Sequence, residues 1–400
     1  MGFYESAIII PVGKTSLIVP EVFRRPRFAA ELAGRLLKPG VLDEGLRSGL
    51  FISGLRRTGK TTFLRTDLVP ELEAQGALVI YVDLWSDTKA SPASLVHAAV
   101  RQTLSQLVTP SSPLLARLRQ VKGLDLGGMG FRFGFQLDQL GEAGGATLAQ
   151  AFTEVVDQSS SDVVLIIDEV QQAITTDEGN QMLLALKAAR DAINPRPNSP
   201  GHFLFLGTGS HRALVSELTA RRNQAFAGAT SMPYPVLDQE YVRHVLERLR
   251  REGVEALPSE EAAWSAFSTL GHRPEDFLRA IGQLRLSRSS GMAPDQLLPV
   301  IAATLRSTAA DLELQKVEQI GGLAMAIFGR VAQEEGPAKG LFSAEAAAAY
   351  GEAIGRPVRI EEIQPVVNEL LAENLLMRVG HGLYGIADPF VQQIWRERQL

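Results

Sequence analysis

The 400-residue sequence contains no cysteine, which excludes disulfides, thiolate nucleophiles and cysteine-based zinc sites. Histidine is scarce, and His97, His202, His211, His244, His272 and His381 show no metal-ligand spacing. A dominant charge sign is also missing: 40 Lys and Arg against 45 Asp and Glu leave a formal net charge of −5. Bulk electrostatics therefore names neither nucleic acid nor an anionic membrane as the main partner. No apolar run approaches the roughly 18 residues of a membrane span. The apolar piece from Ala7 to Val12 follows Glu5 rather than a basic segment, so it does not read as a signal peptide. Met1-Gly2 with Ser6 meets a myristoylation pattern only formally. A cytoplasmic chain without a membrane partner is expected. With 45% hydrophobic and 21% charged residues, the composition is that of a folded chain of two to three domains.

What is present centres on Leu50-Phe51-Ile52-Ser53-Gly54-Leu55-Arg56-Arg57-Thr58-Gly59-Lys60-Thr61-Thr62. The segment fits a P-loop, with Gly54, Gly59, Lys60 and Thr61 in the fixed places, after an apolar strand and before a helix. Gly54 and Gly59 permit a tight turn whose amides approach phosphate oxygens. The helix that follows points its free N–H groups and positive dipole end at the same anion. Lys60 would neutralise the β- and γ-phosphates, and the Thr61 hydroxyl would ligate Mg²⁺. Arg57, Thr58 and Thr62 complete the set expected to contact nucleotide. Val12-Gly13-Lys14-Thr15 repeats the core of the motif, but it lacks the first glycine and a following helix, so it reads as a strand and turn.

A second chemical stretch lies about a hundred residues on. Val163-Val164-Leu165-Ile166-Ile167 reads as a central strand. It delivers Asp168 and Glu169 at its C-terminal end, where open α/β sheets bind ligands. In this Walker B form Asp168 would hold Mg²⁺ through water, and Glu169 would polarise the attacking water. A further apolar strand, His202 to Leu206, ends in Thr208 and Ser210. Thr208 is the first choice and Ser210 the second for a side chain that senses the γ-phosphate and positions water. Helix capping by Ser210 is the alternative.

The remaining chain divides by texture. Residues 1–45 form an N-terminal segment whose basic-aromatic run from Val22 to Phe28 would border the nucleotide, or else form a surface arm. Residues 46–235 form the P-loop core. Inside it, the stretch near 123–146 alternates apolar and polar residues between glycine clusters and predicts an inserted hairpin. Pro70 is expected to start a new helical turn. Residues 236–310 read as a helical lid. Residues 311–400, with a helix over 312–332, two more helices and a two-stranded wing, read as a winged helix. Residues 320–400 hold seven Lys and Arg against ten Asp and Glu, and the third helix carries Glu361, Glu362, Glu369 and Glu373. Such a surface would repel phosphates, so a protein-facing or self-packing role is favoured over duplex DNA.

The order of these elements resembles the archaeal-type ATPase family, found also in bacteria, of the STAND branch near AAA+ and origin-recognition ATPases. The P-loop, the Leu-Ile-Ile-Asp-Glu-Val-Gln segment, the Gly271-His272-Arg273-Pro274 lid motif and the closing Tyr-Gly-Ile-Ala-Asp-Pro-Phe carry the resemblance over residues 20 to 400. It implies an AAA+-like parallel sheet, a helical lid and a C-terminal winged helix. It implies ATP and Mg²⁺ as cofactors and the roles already read for Lys60, Thr61, Asp168 and Glu169. Two positions depart from the family. Phe226-Ala227-Gly228-Ala229-Thr230 lacks the arginine of Tyr-Gly-Arg-Ala-Thr, and Glu275 stands where relatives place arginine. Both losses imply slow hydrolysis, because arginines there would stabilise transition-state charge. Arg221, Arg222, Arg273 and Arg279 are the candidate substitutes. The combined reading is a Mg-ATP-dependent, slowly hydrolysing switch for a protein partner, with self-association open. A DNA-binding ATPase of AAA+ type is the alternative, followed by a nucleotide-binding module without turnover.

Overall fold

The computed structural model describes residues 22–87, 89–123, 129–142, 144–210, 215, 218–219, 224–287, 291–380 and 382–399. Five parallel strands form the central sheet: β1 (Leu50–Ser53), β2 (Leu78–Asp83), β3 (Val163–Asp168), β4 (Phe203–Gly209) and β5 (Thr230–Pro233), in the order β2-β3-β4-β1-β5. Parallel strands covered on both faces need apolar side chains on both. Val163, Leu165, Ile167, Phe203 and Phe205 enter one core, and Val164, Ile166, Leu204 and Leu206 the opposite one. That two-sided burial explains why these runs lack alternation. Asp83 lies in register with Asp168, and Ile52 with Thr208. The strand order puts β4 between β1 and β3, so the polar C-terminal ends of all three meet at one edge.

On one face of the sheet lie α1 (Pro26–Leu37) and the helix after the P-loop. That helix comprises α2 (Lys60–Phe63), a π turn (Leu64–Leu68) and α3 (Val69–Ala74), without interruption. Pro70 therefore sits within the helix instead of starting a new one. Proline has no N–H and crowds the carbonyl four residues back, and the wider π turn absorbs that defect. The Thr66 carbonyl left over accepts from Arg24 Nη2, and Arg24 Nε donates 2.6 Å to the buried Asp67. The other face carries α4 (Pro92–Val108), α5 (Pro113–Lys122), α6 (Leu148–Ser159) and α7 (Asp177–Ile193).

The hairpin expected near 123–146 is not formed by the described residues of that stretch. Residues 129–136 run without strand pairing. Phe131 is buried in the core shared by α4 and α6, and Phe133 and Phe135 lie against it. The Phe131 N–H donates to the Leu107 carbonyl at 2.9 Å. A Cβ on Gly130 would stand 1.9 Å from the Val108 carbonyl oxygen, so glycine permits this approach. The alternating pattern thus records a segment half-buried against helices, a signal that a hairpin strand shares.

Beyond the sheet, α8 (Gln239–Arg251), α9 (Glu260–Thr269), α10 (Pro274–Leu286) and the first half of α11 (Pro294–Ile320) enclose a core around Phe267 and Phe277. The boundary expected at 310–311 falls inside α11. Leu298, Ile301 and Ala302 belong to the lid core, whereas Ala310, Leu314 and Val317 belong to the next one. The helix expected over 312–332 is broken at Gly321, whose φ of 125° and ψ of 178° are essentially restricted to glycine. After it come α12 (Gly322–Gln333), α13 (Ala344–Ile354), α14 (Ile360–Ala372) and α15 (Pro389–Gln399). They pack with an antiparallel sheet of β6 (Ala338–Lys339), β8 (Leu383–Ile386) and β7 (Leu376–Gly380), in the order β6-β8-β7. This is a winged-helix arrangement with one strand more than expected, since a two-residue β6 leaves no period to read.

Candidate functional site

The loop from Gly54 to Gly59 is a concavity with a buried cation at its base. Arg57 and Gly59 take positive φ values of 63° and 90°, the kind of turn from which anion-binding concavities of backbone amides are built. Thr58 is buried and donates to the Leu55 carbonyl at 2.8 Å. Lys60 is only 6% exposed. Its ammonium donates to the Gly54 and Leu55 carbonyls at 2.7 and 2.9 Å, and no carboxylate among the described residues forms an ion pair with it. Burial pulls its pKa down, against the raising pull of Glu169 and Asp168. A desolvated cation of this kind is stabilised by an anion brought into the loop.

Asp168 is the hub of the site. Its Oδ2 accepts from Thr61 Oγ1 at 2.6 Å and from Tyr81 OH at 3.0 Å. Its Oδ1 accepts from Thr208 Oγ1 and, at 3.1 Å, from the Glu169 N–H. Thr208 is thus a buried support for Asp168, and the hydroxyl that reaches Glu169 is that of Ser210, the second choice from sequence. Ser210 Oγ donates to Glu169 Oε2 at 2.8 Å, and Gln171 Nε2 donates to the same oxygen. Glu169 itself sits at φ 57°, a left-handed conformation uncommon for a residue with a Cβ. Asp83, opposite Asp168 across the strand pair, is pushed above the usual carboxylate range by burial and by the nearby charges of Asp168 and Glu169, although the Trp85 N–H opposes the shift.

Beside the loop, a cavity of about 340 Å³ opens between the N-terminal segment, the start of α2 and the lid. Val22, Phe23 and Arg25 line it from one side, Thr62 and Tyr234 from the floor, and Tyr241, His244 and Leu249 from the lid. Arg25 anchors the N-terminal segment by donating to the Pro235 carbonyl at 2.7 Å and lying over the rings of Phe28 and Tyr234. The basic-aromatic run therefore faces the cavity through Phe23 and Arg25.

Not every residue singled out in the sequence converges here. Arg57 is directed to the lid, 3.6 Å from Glu275, with both side chains largely exposed. Arg279 pairs with Glu275 and Asp276. Arg273 bonds Asp388. Arg221 and Arg222 lie outside the described residues, as do Val12–Thr15 and His381.

With this geometry in view, comparison with known proteins is informative. Residues 44–215 match the model of the AAA domain. That match spans both the phosphate loop and the strand that ends in Asp168. No curated protein matches it. Among solved structures it is similar to the Walker-type ATPase PABY2304 of Pyrococcus abyssi, at a TM-score of 0.55 and 16% identity, over 92% of this chain and 95% of that one. It is also similar to the ORC2 protein of Aeropyrum pernix. The ADP form gives a TM-score of 0.53 and the ADPNP-ADP complexes 0.52, each at 14% identity over 96% of this chain and 97% of that one. These likenesses show a shared fold. The parts of this site that sequence reading missed are Tyr81, Gln171 and the lid side of the cavity. Gln171 stood in the quoted strand segment, whereas nothing local marks Tyr81.

Proposed function

We propose that the protein binds ATP with Mg²⁺, hydrolyses it slowly, and acts as a nucleotide-driven switch of STAND type for a protein partner. The observation that carries this reading is Lys60, a buried ammonium with no ion-pair partner among the described residues, held against the Gly54 and Leu55 carbonyls of the glycine loop. Gly54, Thr58, Gly59 and Thr62 shape the phosphate side, and the cavity lined by Phe23 and Tyr241 offers an apolar slot for a base. The donor set fits Mg²⁺, a hard cation that takes few protein oxygens beside substrate phosphates. Thr61 Oγ1 would hold it directly and Asp168 Oδ2 through water, and the two oxygens lie 2.6 Å apart. Bound there, the ion would neutralise charge developing on the phosphates.

Glu169 is the candidate base for the attacking water, with Ser210 and Gln171 holding one of its oxygens. Slow turnover follows from the arginines: Arg273 and Arg279 are engaged with carboxylates of the lid and the C-terminal unit. The switch reading rests on a cluster joining the two. Pro274 lines the cavity, and its neighbour Arg273 bonds Asp388, which also accepts from Arg306 on α11. A change at the lid is thus one residue away from the winged-helix unit. α14 and its C-cap present Glu361, Glu369 and Glu373 to solvent and carry no cation, which suits a protein surface better than phosphates. No helix among the described residues is long and apolar enough to cross a membrane, and a cytoplasmic setting is part of the reading.

Two variants test it. Lys60→Ala is expected to abolish or greatly weaken ATP binding by calorimetry. Glu169→Gln is expected to retain binding and lose at least about tenfold in turnover, the low end of general-base effects. Unchanged affinity in Lys60→Ala would overturn the nucleotide assignment.

A further inference from the structure

We infer that Tyr81 is a positioning residue for the metal end of the nucleotide site: its hydroxyl holds the Asp168 carboxylate in the orientation that Mg²⁺ requires, and so sets how much the metal adds to ATP affinity. The inference rests on the Mg-ATP reading above.

The β2–β3 pairing places Tyr81 opposite Ile166, two residues before Asp168. Strand alternation sends its ring to the face occupied by Val79, Val164 and Ile166, the same face as the P-loop helix. There the guanidinium of Arg65 lies 5.6 Å from the ring centroid. The ring is partly buried, and its hydroxyl ends 3.0 Å from Asp168 Oδ2. A phenol has one O–H to donate, and a carboxylate oxygen can only accept it.

The other donors to Asp168 do not do the same work. Thr208 and the Glu169 N–H hold Oδ1. On Oδ2 the companion donor is Thr61, whose own oxygen is the proposed metal ligand and would turn to the ion when it binds. The last torsion of an aspartate is broad and roughly two-fold, so the direction of Oδ2 depends on what fixes it. A phenol on a packed ring with only two side-chain torsions is a fixed point. Groups that orient a metal-binding carboxylate in this way typically account for 10–100-fold in metal affinity or activity.

Tyr81→Phe removes the hydroxyl and keeps the ring, its packing and the contact with Arg65. Full-length parent and variant are titrated with ATP by calorimetry, once in EDTA and once in saturating Mg²⁺. The metal-free affinities are expected to agree within about twofold, less than 0.5 kcal/mol, which shows that the fold and the phosphate loop are intact. The gain on adding Mg²⁺ is expected to be smaller in the variant by about tenfold or more, with the Mg²⁺ midpoint shifted upward to match. An equal Mg²⁺ gain in both proteins overturns the role of Tyr81 and leaves the nucleotide reading standing. A parent whose affinity does not respond to Mg²⁺ at all overturns the metal reading itself.

Discussion

Replacing Asp388 with Asn should loosen the winged-helix unit from the lid, and the structure sets the size of the effect. Asp388 accepts from Arg273 at 3.1 Å and from Arg306, whose side chain is 8% exposed and whose guanidinium also lies 4.5 Å from the Phe390 ring centroid. A unit-charge pair near 3 Å gains roughly 5 kcal/mol at an effective dielectric of about 20. Desolvation and the mutual repulsion of the two guanidiniums offset much of that. Removing one partner of a buried pair costs about 3–5 kcal/mol, because the other charge is left uncompensated. Asn keeps an acceptor for the Phe390 N–H, which Asp388 Oδ1 holds at 3.0 Å, so the lower end of the range applies, about 3 kcal/mol. For a cooperative unit of 150–250 residues each kcal/mol shifts Tm by about 2–4 °C. The expected fall is therefore about 6–12 °C, read by scanning calorimetry. Burial alone would raise the Asp388 pKa, but Arg306, the Phe390 N–H and Arg273 outweigh it and hold the carboxyl below its usual range. A depressed pKa contributes stability that is complete above the unfolded carboxyl value and is lost only as pH falls through the folded one. The gap between parent and variant should thus stay constant from about pH 8 to pH 5, above the unperturbed aspartate value of about 3.9. A variant melting within about 2 °C of the parent at pH 7, or a gap that closes well above pH 5, would refute the reasoning.

Two further outcomes are expected. Ser210→Ala, by removing one charge-assisted bond from Glu169, should raise turnover by up to about tenfold while leaving ATP affinity unchanged, and slower turnover would mean that Ser210 orients Glu169 instead of holding it back. The full chain should bind duplex DNA no more tightly than about micromolar near 150 mM salt, with a shallow salt slope; tight binding with a steep slope would put duplex DNA ahead of protein as the partner.

The sequence alone determined the phosphate loop and the strand that ends in Asp168. Both are contiguous runs in which residue type dictates local geometry: glycines where the backbone must turn, and apolar residues where a strand is covered on both faces. The same holds for the lid helices and the wing, whose periods and glycine turns are local. Tertiary structure decided what the site residues touch. Tyr81 meets Asp168 across 87 positions, Arg24 meets Asp67 across 43, and Arg273 meets Asp388 across 115. Each contact depends on strand order or on helix packing, which no short window encodes. Thr208 and Ser210 were both visible at the end of one strand, yet only the position of β4 between β1 and β3 assigns one to Asp168 and the other to Glu169. That the boundary read at 310 lies inside one helix has a similar cause. The composition of α11 is continuous, and its two halves differ only in which core buries them. Local chemistry specifies the parts; burial against distant partners specifies their roles.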